Sequence, residues 1–152
     1  MVSLNTEQRP APAKRFRWVI AGGVAVVLAG ACALYRVNQD TRNAYAVWWT
    51  ADVVVEHLKA NDNEWPRSWS DLRDDYQTCV ERSGQPWSFD ELTNRTEVDW
   101  QADPAELLTQ SKGHTTAQFR VITLADGTDS HWERREPNQI ILDYLRLSMS
   151  DP

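Results

Sequence analysis

The chain has 152 residues, room for one domain of ordinary size, and a formal charge of −6. That charge is divided: residues 1–36 carry net +4 and residues 37–152 carry net −10. An acidic domain of this kind repels phosphate and excludes a nucleic-acid partner, whereas a basic leader ahead of it suits a chain oriented in a membrane.

Residues 1–17 hold Arg9, Lys14, Arg15 and Arg17 and read as a disordered basic tail. Trp18 to Tyr35, WVIAGGVAVVLAGACALY, contains no charge. At 1.5 Å per residue it would rise about 27 Å, near the thickness of a hydrocarbon core. Trp18 and Tyr35 stand at its ends, where amphipathic rings favour the headgroup zone, and Gly22, Gly23, Ala25, Ala29, Gly30, Ala31 and Ala33 would let another helix approach closely. Lys14, Arg15 and Arg17 lie just ahead of the segment. By the positive-inside rule the expectation is a transmembrane helix over 18–35 in the plasma (inner) membrane, with the N-terminus cytoplasmic and an acidic extracytoplasmic domain over 36–152. Ala29-Gly30-Ala31 and Ala31-Cys32-Ala33 have the small-x-small form of a signal-peptidase site, and Gly30-Ala31 before Cys32 has part of a lipoprotein signal. A cleaved or lipidated leader therefore stands beside the retained anchor.

Residues 38–60 lack Gly and Pro and place apolar residues at Ala44, Val47, Trp48, Ala51, Val54, Val55 and Leu58, the pattern of an amphipathic helix continuing the span. Asn61-Asp62-Asn63 ends it. Ser68 or Ser70 caps a short helix through Tyr76, and Ser83-Gly84-Gln85-Pro86 breaks the chain. Ser88-Phe89-Asp90-Glu91 has capping-box form, and Asp103-Pro104-Ala105-Glu106 reads as a further helix start. Val98-Asp99-Trp100 is a weak strand signal. Gln118 to Leu124 is the best strand, with Phe119, Val121 and Thr123 on one face. Ala125-Asp126-Gly127 turns it towards a return at His131-Trp132-Glu133. Pro137 opens a last helix with Ile140, Ile141, Tyr144, Leu145 and Leu147 on its apolar face. The fold class expected is α+β: a long N-terminal helix, short helices, a small antiparallel sheet and a C-terminal helix.

The run from the hydrophobic helix into an amphipathic one, then Asn61-Asp62-Asn63, Trp65-Pro66 and Ser70-Asp71-Leu72, resembles the type IV pilin and pseudopilin architecture over about residues 18–75. The resemblance implies an envelope assembly component. Two features of that family are absent: Arg17-Trp18-Val19 stands where a Gly-Phe-type cleavage site would be, and the segment carries no glutamate.

Residues able to carry chemistry are few. His57 follows Glu56 on the long helix, so the two diverge by about 100° and share no ligand site. His114 is isolated, and His131 lies among Asp126, Asp129 and Glu133. Asp126-Gly127-Thr128-Asp129-Ser130 offers oxygen ligands without a twelve-residue calcium loop or its closing glutamate. Asp71, Asp74, Asp75, Asp90, Glu91, Glu97 and Asp99 read as a solvated acidic face. Cys79 reads as a buried thiol. No nucleotide, zinc or serine-hydrolase motif occurs, so neither a catalytic residue nor a metal or small-molecule cofactor is expected. Seven of the eight tryptophans lie outside the span, and most serve a core. Trp48 and Trp49, being neighbours on a helix, cannot both face one core, which makes them a candidate interaction surface. The favoured expectation is a single-pass membrane protein with a non-enzymatic interaction domain, its partners the membrane and other envelope proteins or itself. The alternative is an anchored or secreted enzyme acting on an envelope polymer through acidic residues.

Overall fold

The computed structural model describes the backbone at residues 13–84, 87–129 and 136–149, and side chains from Gly22 onward within those ranges. Its elements are α1 (Ala13–Ala60), α2 (Arg73–Ser83), α3 (Phe89–Arg95), β1 (Thr96–Val98), α4 (Pro104–Gln110), β2 (Ile122–Leu124) and α5 (Pro137–Met149). This is α+β with a two-stranded antiparallel sheet, as the pattern predicts. The chain divides into two compact units, residues 1–39 and 40–152, and α1 supplies residues to both.

In the first unit α1 begins at Ala13, inside the stretch expected as tail; Lys14, Arg15 and Arg17 are good helix formers. Residues 1–12 lie outside the described residues. Residues 22–38 are exposed throughout, including Val26 (73%), Val27 (70%), Leu28 (60%) and Leu34 (73%). Among the described residues no helix is long and apolar enough to cross a membrane. The uncharged segment starts at Trp18, ahead of the first described side chain. The part from 22 to 35 rises only about 21 Å, short of a core roughly 30 Å thick.

In the second unit the continuing α1 is the central helix. Ala46, Val47, Thr50, Ala51, Val53, Val54, Val55, His57 and Leu58 are all buried. This is wider than the single stripe expected, and it reaches Thr50, Val53 and His57, because other elements pack on more than one side. The helix stops at Ala60 through two left-handed residues, Asp62 (φ 51°) and Asn63 (φ 66°), with Asn63 N–H donating to Leu58 O at 2.9 Å. Short polar Asp and Asn tolerate that backbone better than other side chains.

The next helix departs from expectation. Neither Ser68 nor Ser70 caps it. Ser68 Oγ and Arg67 N–H both bond the Asp71 carboxylate to form a turn, and α2 starts at Arg73 with no side-chain cap at Leu72. It runs past Tyr76 to Ser83 and closes on Gly84 at φ 64°. Both halves of the Ser88–Glu91 capping box form at α3, and Asp103 accepts Ala105 N–H at 2.8 Å to start α4 behind Pro104.

The sheet pairs Thr96 with Leu124, Glu97 with Thr123 and Val98 with Ile122. The first strand therefore ends at Val98, the residue where the sequence signal begins. The second is shorter than 118–124. Phe119 and Val121 are buried as expected, but Ile122 and Leu124 are buried too, and Thr123 is only half-buried. The side-chain phase slips between 121 and 122. There the N–H groups of Val121 and Ile122 both donate to Asn138 Oδ1, at 2.9 and 3.0 Å. Adjacent N–H groups point to opposite sides in a regular strand, so a shared acceptor requires a bend. The expected return strand at 131–133 lies outside the described residues. In α5 the buried face is Asn138, Ile141, Leu142 and Leu145; Leu147 is 79% exposed, and Leu142 takes the place expected for it.

Leu58, Leu72, Ile141, Leu142 and Leu145 are fully enclosed. Each such side chain removed from water stabilises by about 1.5–3 kcal/mol. Trp65 belongs to this core, and Trp69 and Trp100 pack against it, with ring centroids 5.4 Å apart in an edge-to-face contact.

Candidate functional site

The last turns of α1, the Asn61–Asp71 connection and the first turn of α2 enclose a surface depression. His57 and Asp75 form its floor. Asp75 was expected on a solvated acidic face, but it is 9% exposed and His57 8%. The two meet at 2.8 Å, His57 Nδ1 to Asp75 Oδ2. Burying a carboxylate costs several kcal/mol unless a partner meets it, and the imidazole supplies that partner. Asn61, one turn after His57, donates from Nδ2 to the His57 carbonyl at 2.9 Å. Glu64, Arg67, Asp71 and Asp74 line the rim. Arg67 pairs with Glu64 at 2.5 Å. Asp71 is held below the usual carboxylate range chiefly by the Arg67 backbone N–H, with desolvation opposing and the Ser68 hydroxyl assisting.

The pair is not visible in the sequence because its members are 18 residues apart. One signal was available. His57 follows Val54 by three residues and adjoins Leu58, which places it on the buried side of the helix rather than with exposed Lys59.

No protein-family model, curated protein or solved structure matches the chain.

Trp48 and Trp49 are both half-buried, in edge-to-face contact with centroids 5.3 Å apart and planes at 81°. Among the described residues neither belongs to the core nor packs against it. Trp87 has a different role: the Arg42 guanidinium lies 4.7 Å above its ring and that of Arg95 5.9 Å away, while Arg42 also pairs with Glu91 at 2.6 Å.

The remaining candidates are accounted for structurally. Cys79 is fully buried, as expected, and burial together with the charge of Asp52 pushes its thiol up to about 11. Beside it Arg82 bridges α2 to Glu56 at 2.5 Å and Asp52 at 3.3 Å on α1. Asp126 Oδ1 is taken by Thr128 N–H and Oγ, and Asp129 pairs with Arg120, so both carboxylates serve the turn. His114 is exposed, and His131 lies outside the described residues. Among the described residues no group of three His, Cys, Asp or Glu side chains could hold a metal ion.

Proposed function

We propose that the chain is a single-pass membrane-anchored protein whose residues 36–152 form a non-enzymatic interaction domain on the extracytoplasmic side. The observation that carries this is the contrast between the two units. Among the described residues the second encloses most of its aliphatic side chains, Leu147 being an exception, while the first leaves Val24, Val26, Val27, Leu28 and Leu34 between 54% and 73% exposed along one helix. In water each costs about 1–2 kcal/mol of unrealised burial, and a bilayer removes that cost. Lys14, Arg15 and Arg17 ahead of the segment favour a cytoplasmic N-terminus. The Trp48–Trp49 pair, off the core yet adjacent in the second unit, supports an interaction role, with envelope proteins or a second copy as partners. A pilin-like assembly component is the sharpest form of this reading.

The test is membrane fractionation combined with N-terminal analysis of the mature chain. The expected outcome is a full-length chain that stays in the membrane pellet through an alkaline carbonate wash. Protease added to right-side-out vesicles should digest its C-terminal domain. A mature N-terminus at Cys32 or Leu34, or release by carbonate, overturns the anchor.

A further inference from the structure

Along α1 the residues off the core keep a seven-residue repeat. In the first unit Val24, Val27, Ala31, Leu34 and Asn38 follow one another at steps of three, four, three and four, and all five are exposed. The same steps continue in the second unit through Thr41, Tyr45 and Trp48. Thr41 is exposed, Tyr45 is 54% exposed, and Trp48 is half-buried and off the core. In heptad notation Val24, Ala31, Asn38 and Tyr45 hold position a, and Val27, Leu34, Thr41 and Trp48 hold position d. The run covers about three and a half heptads, or about 36 Å of helix, enough for the pattern to argue a coiled coil.

The repeat stops where the domain closes over the helix. The next two positions are Asp52, which pairs with Arg82 at 3.3 Å, and Val55, which is buried. Moving the register back by one residue places Asp40 and buried Val47 on it, and moving it forward by one places Arg42 and buried Ala46 there. In the register as it stands no charge falls at a, d or g between Val24 and Trp48. Arg36 and Asp40 take the outer positions f and c, and Arg42 at e pairs with Glu91 at 2.6 Å. Residues 37–152 carry net −10, so two such domains repel unless they meet through a face clear of charge.

We propose that α1 pairs in parallel with α1 of a second copy of this chain along the Val24–Trp48 seam. Asn38 selects that occupant. A carboxamide both donates and accepts, so two Asn38 side chains facing each other across a two-fold axis satisfy one another. A single Asn at position a among apolar neighbours fixes register and the number of strands. Tyr45 and Trp48 carry the contact past the apolar segment with the large rings that interfaces favour. The parallel orientation rests on the anchor reading, since chains anchored alike have their N-termini on one side. The pairing itself does not, so either can fail without the other.

The experiment is oxidative cross-linking of the full chain in native membranes with copper phenanthroline. A Cys32→Ser background leaves only the enclosed Cys79. On it Leu34→Cys and Asn38→Cys test the seam, and Arg36→Cys and Asp40→Cys test the outer side. The expected result is a disulfide-linked species of doubled mass from both seam variants and its absence from both outer ones, because in a parallel pair each a or d residue meets its own counterpart. Tyr45→Glu should lower the co-purification of differently tagged copies at least about tenfold, since like charges then meet at the seam. Tyr45 is largely exposed, so the unfolding midpoint of the domain should stay where it is. Linkage at all four positions, at fewer than both seam positions, or to a different protein instead of a second copy overturns the proposal, as does undiminished co-purification of Tyr45→Glu. Seam linkage in a chain that carbonate releases keeps the pairing and removes the anchor.

Discussion

Asn138 stands against Ile122 as a third strand would. Its Oδ1 accepts the Ile122 N–H at 3.0 Å and its Nδ2 donates to the Ile122 carbonyl at 3.3 Å, while the same Oδ1 takes Val121 N–H at 2.9 Å. The residue is 2% exposed, so water cannot replace it. Asn138→Leu, similar in volume, leaves two backbone donors and one acceptor unmet. The expected loss is about 2–4 kcal/mol of unfolding free energy, measured by urea titration. Asn138→Asp should not rescue it, because Glu136 Oε1 lies 2.5 Å from Nδ2 and would face a second carboxylate. A loss below about 1 kcal/mol for Asn138→Leu would mean that the sheet edge is satisfied in another way.

Most features written within four residues of sequence are legible, the start of α2 being the exception. The Ser88–Glu91 capping box, Asp103-Pro104 and the Asn61–Asn63 stop each carry their whole hydrogen-bonding instruction locally. Features that need two distant segments are not. The pairing of Thr96–Val98 with Ile122–Leu124 spans 24 to 28 residues, and a three-residue strand has too little alternation to announce itself. The Asn138 contact changes the phase of the β2 segment from 16 or 17 residues away, so Phe119 and Val121 read correctly while Thr123 did not. The candidate site failed for the same reason. Sequence adjacency puts Glu56 beside His57, but the partner of His57 is Asp75, on another helix.

Arg82 tests how far charge ties α2 to α1. Its hydrogen bond to Glu56 is the main cause of the lowered pKa of that carboxylate, from an ordinary 4.5, with desolvation opposing. A carboxylate with a depressed folded-state pKa stabilises above its unfolded value, and the contribution is lost as pH falls through the folded one. The pairs are solvent-accessible, so Arg82→Met should cost only about 0.5–1 kcal/mol at neutral pH and low salt. The difference from the parent chain should shrink as pH falls below 4.5. Unfolding curves at pH 7 and pH 3 measure it; a gap that is constant across that range would assign the effect to lost packing of the Arg82 stem.

Cys79 makes a prediction of opposite sign. Its thiol is pushed up to about 11 by burial, then by Asp52. A raised folded-state pKa means that the stabilisation is complete below the unfolded value of 9.0 and is lost as pH rises towards 11. Unfolding free energy should therefore decline over that window, and Cys79→Ala should decline less. In the native chain at pH 8 iodoacetamide should leave Cys79 unmodified, and urea should make it reactive, as peptide mass spectrometry would read. Rapid native alkylation at Cys79 would contradict a fully enclosed thiol.

The tryptophans separate by what they touch. Trp65 is 6% exposed, sits in the core and donates its indole N–H to the Asp99 carbonyl at 2.8 Å. Trp65→Ala opens a cavity and orphans that carbonyl, and it should cost about 3–5 kcal/mol. Trp48 and Trp49 are half-buried and contact each other edge to face. Losing that contact is worth about 0.5–1.5 kcal/mol beyond area, so Trp48→Ala or Trp49→Ala should leave a folded domain with a much smaller penalty. A double-mutant cycle should return most of that coupling, since each ring is part of the other's surroundings. If the two rings instead serve an interface, the single changes should lower the cross-linking of the chain to its membrane partners while the unfolding midpoint moves little. A stability loss for Trp48→Ala as large as that for Trp65→Ala would place Trp48 in the core and remove the pair as an interaction surface.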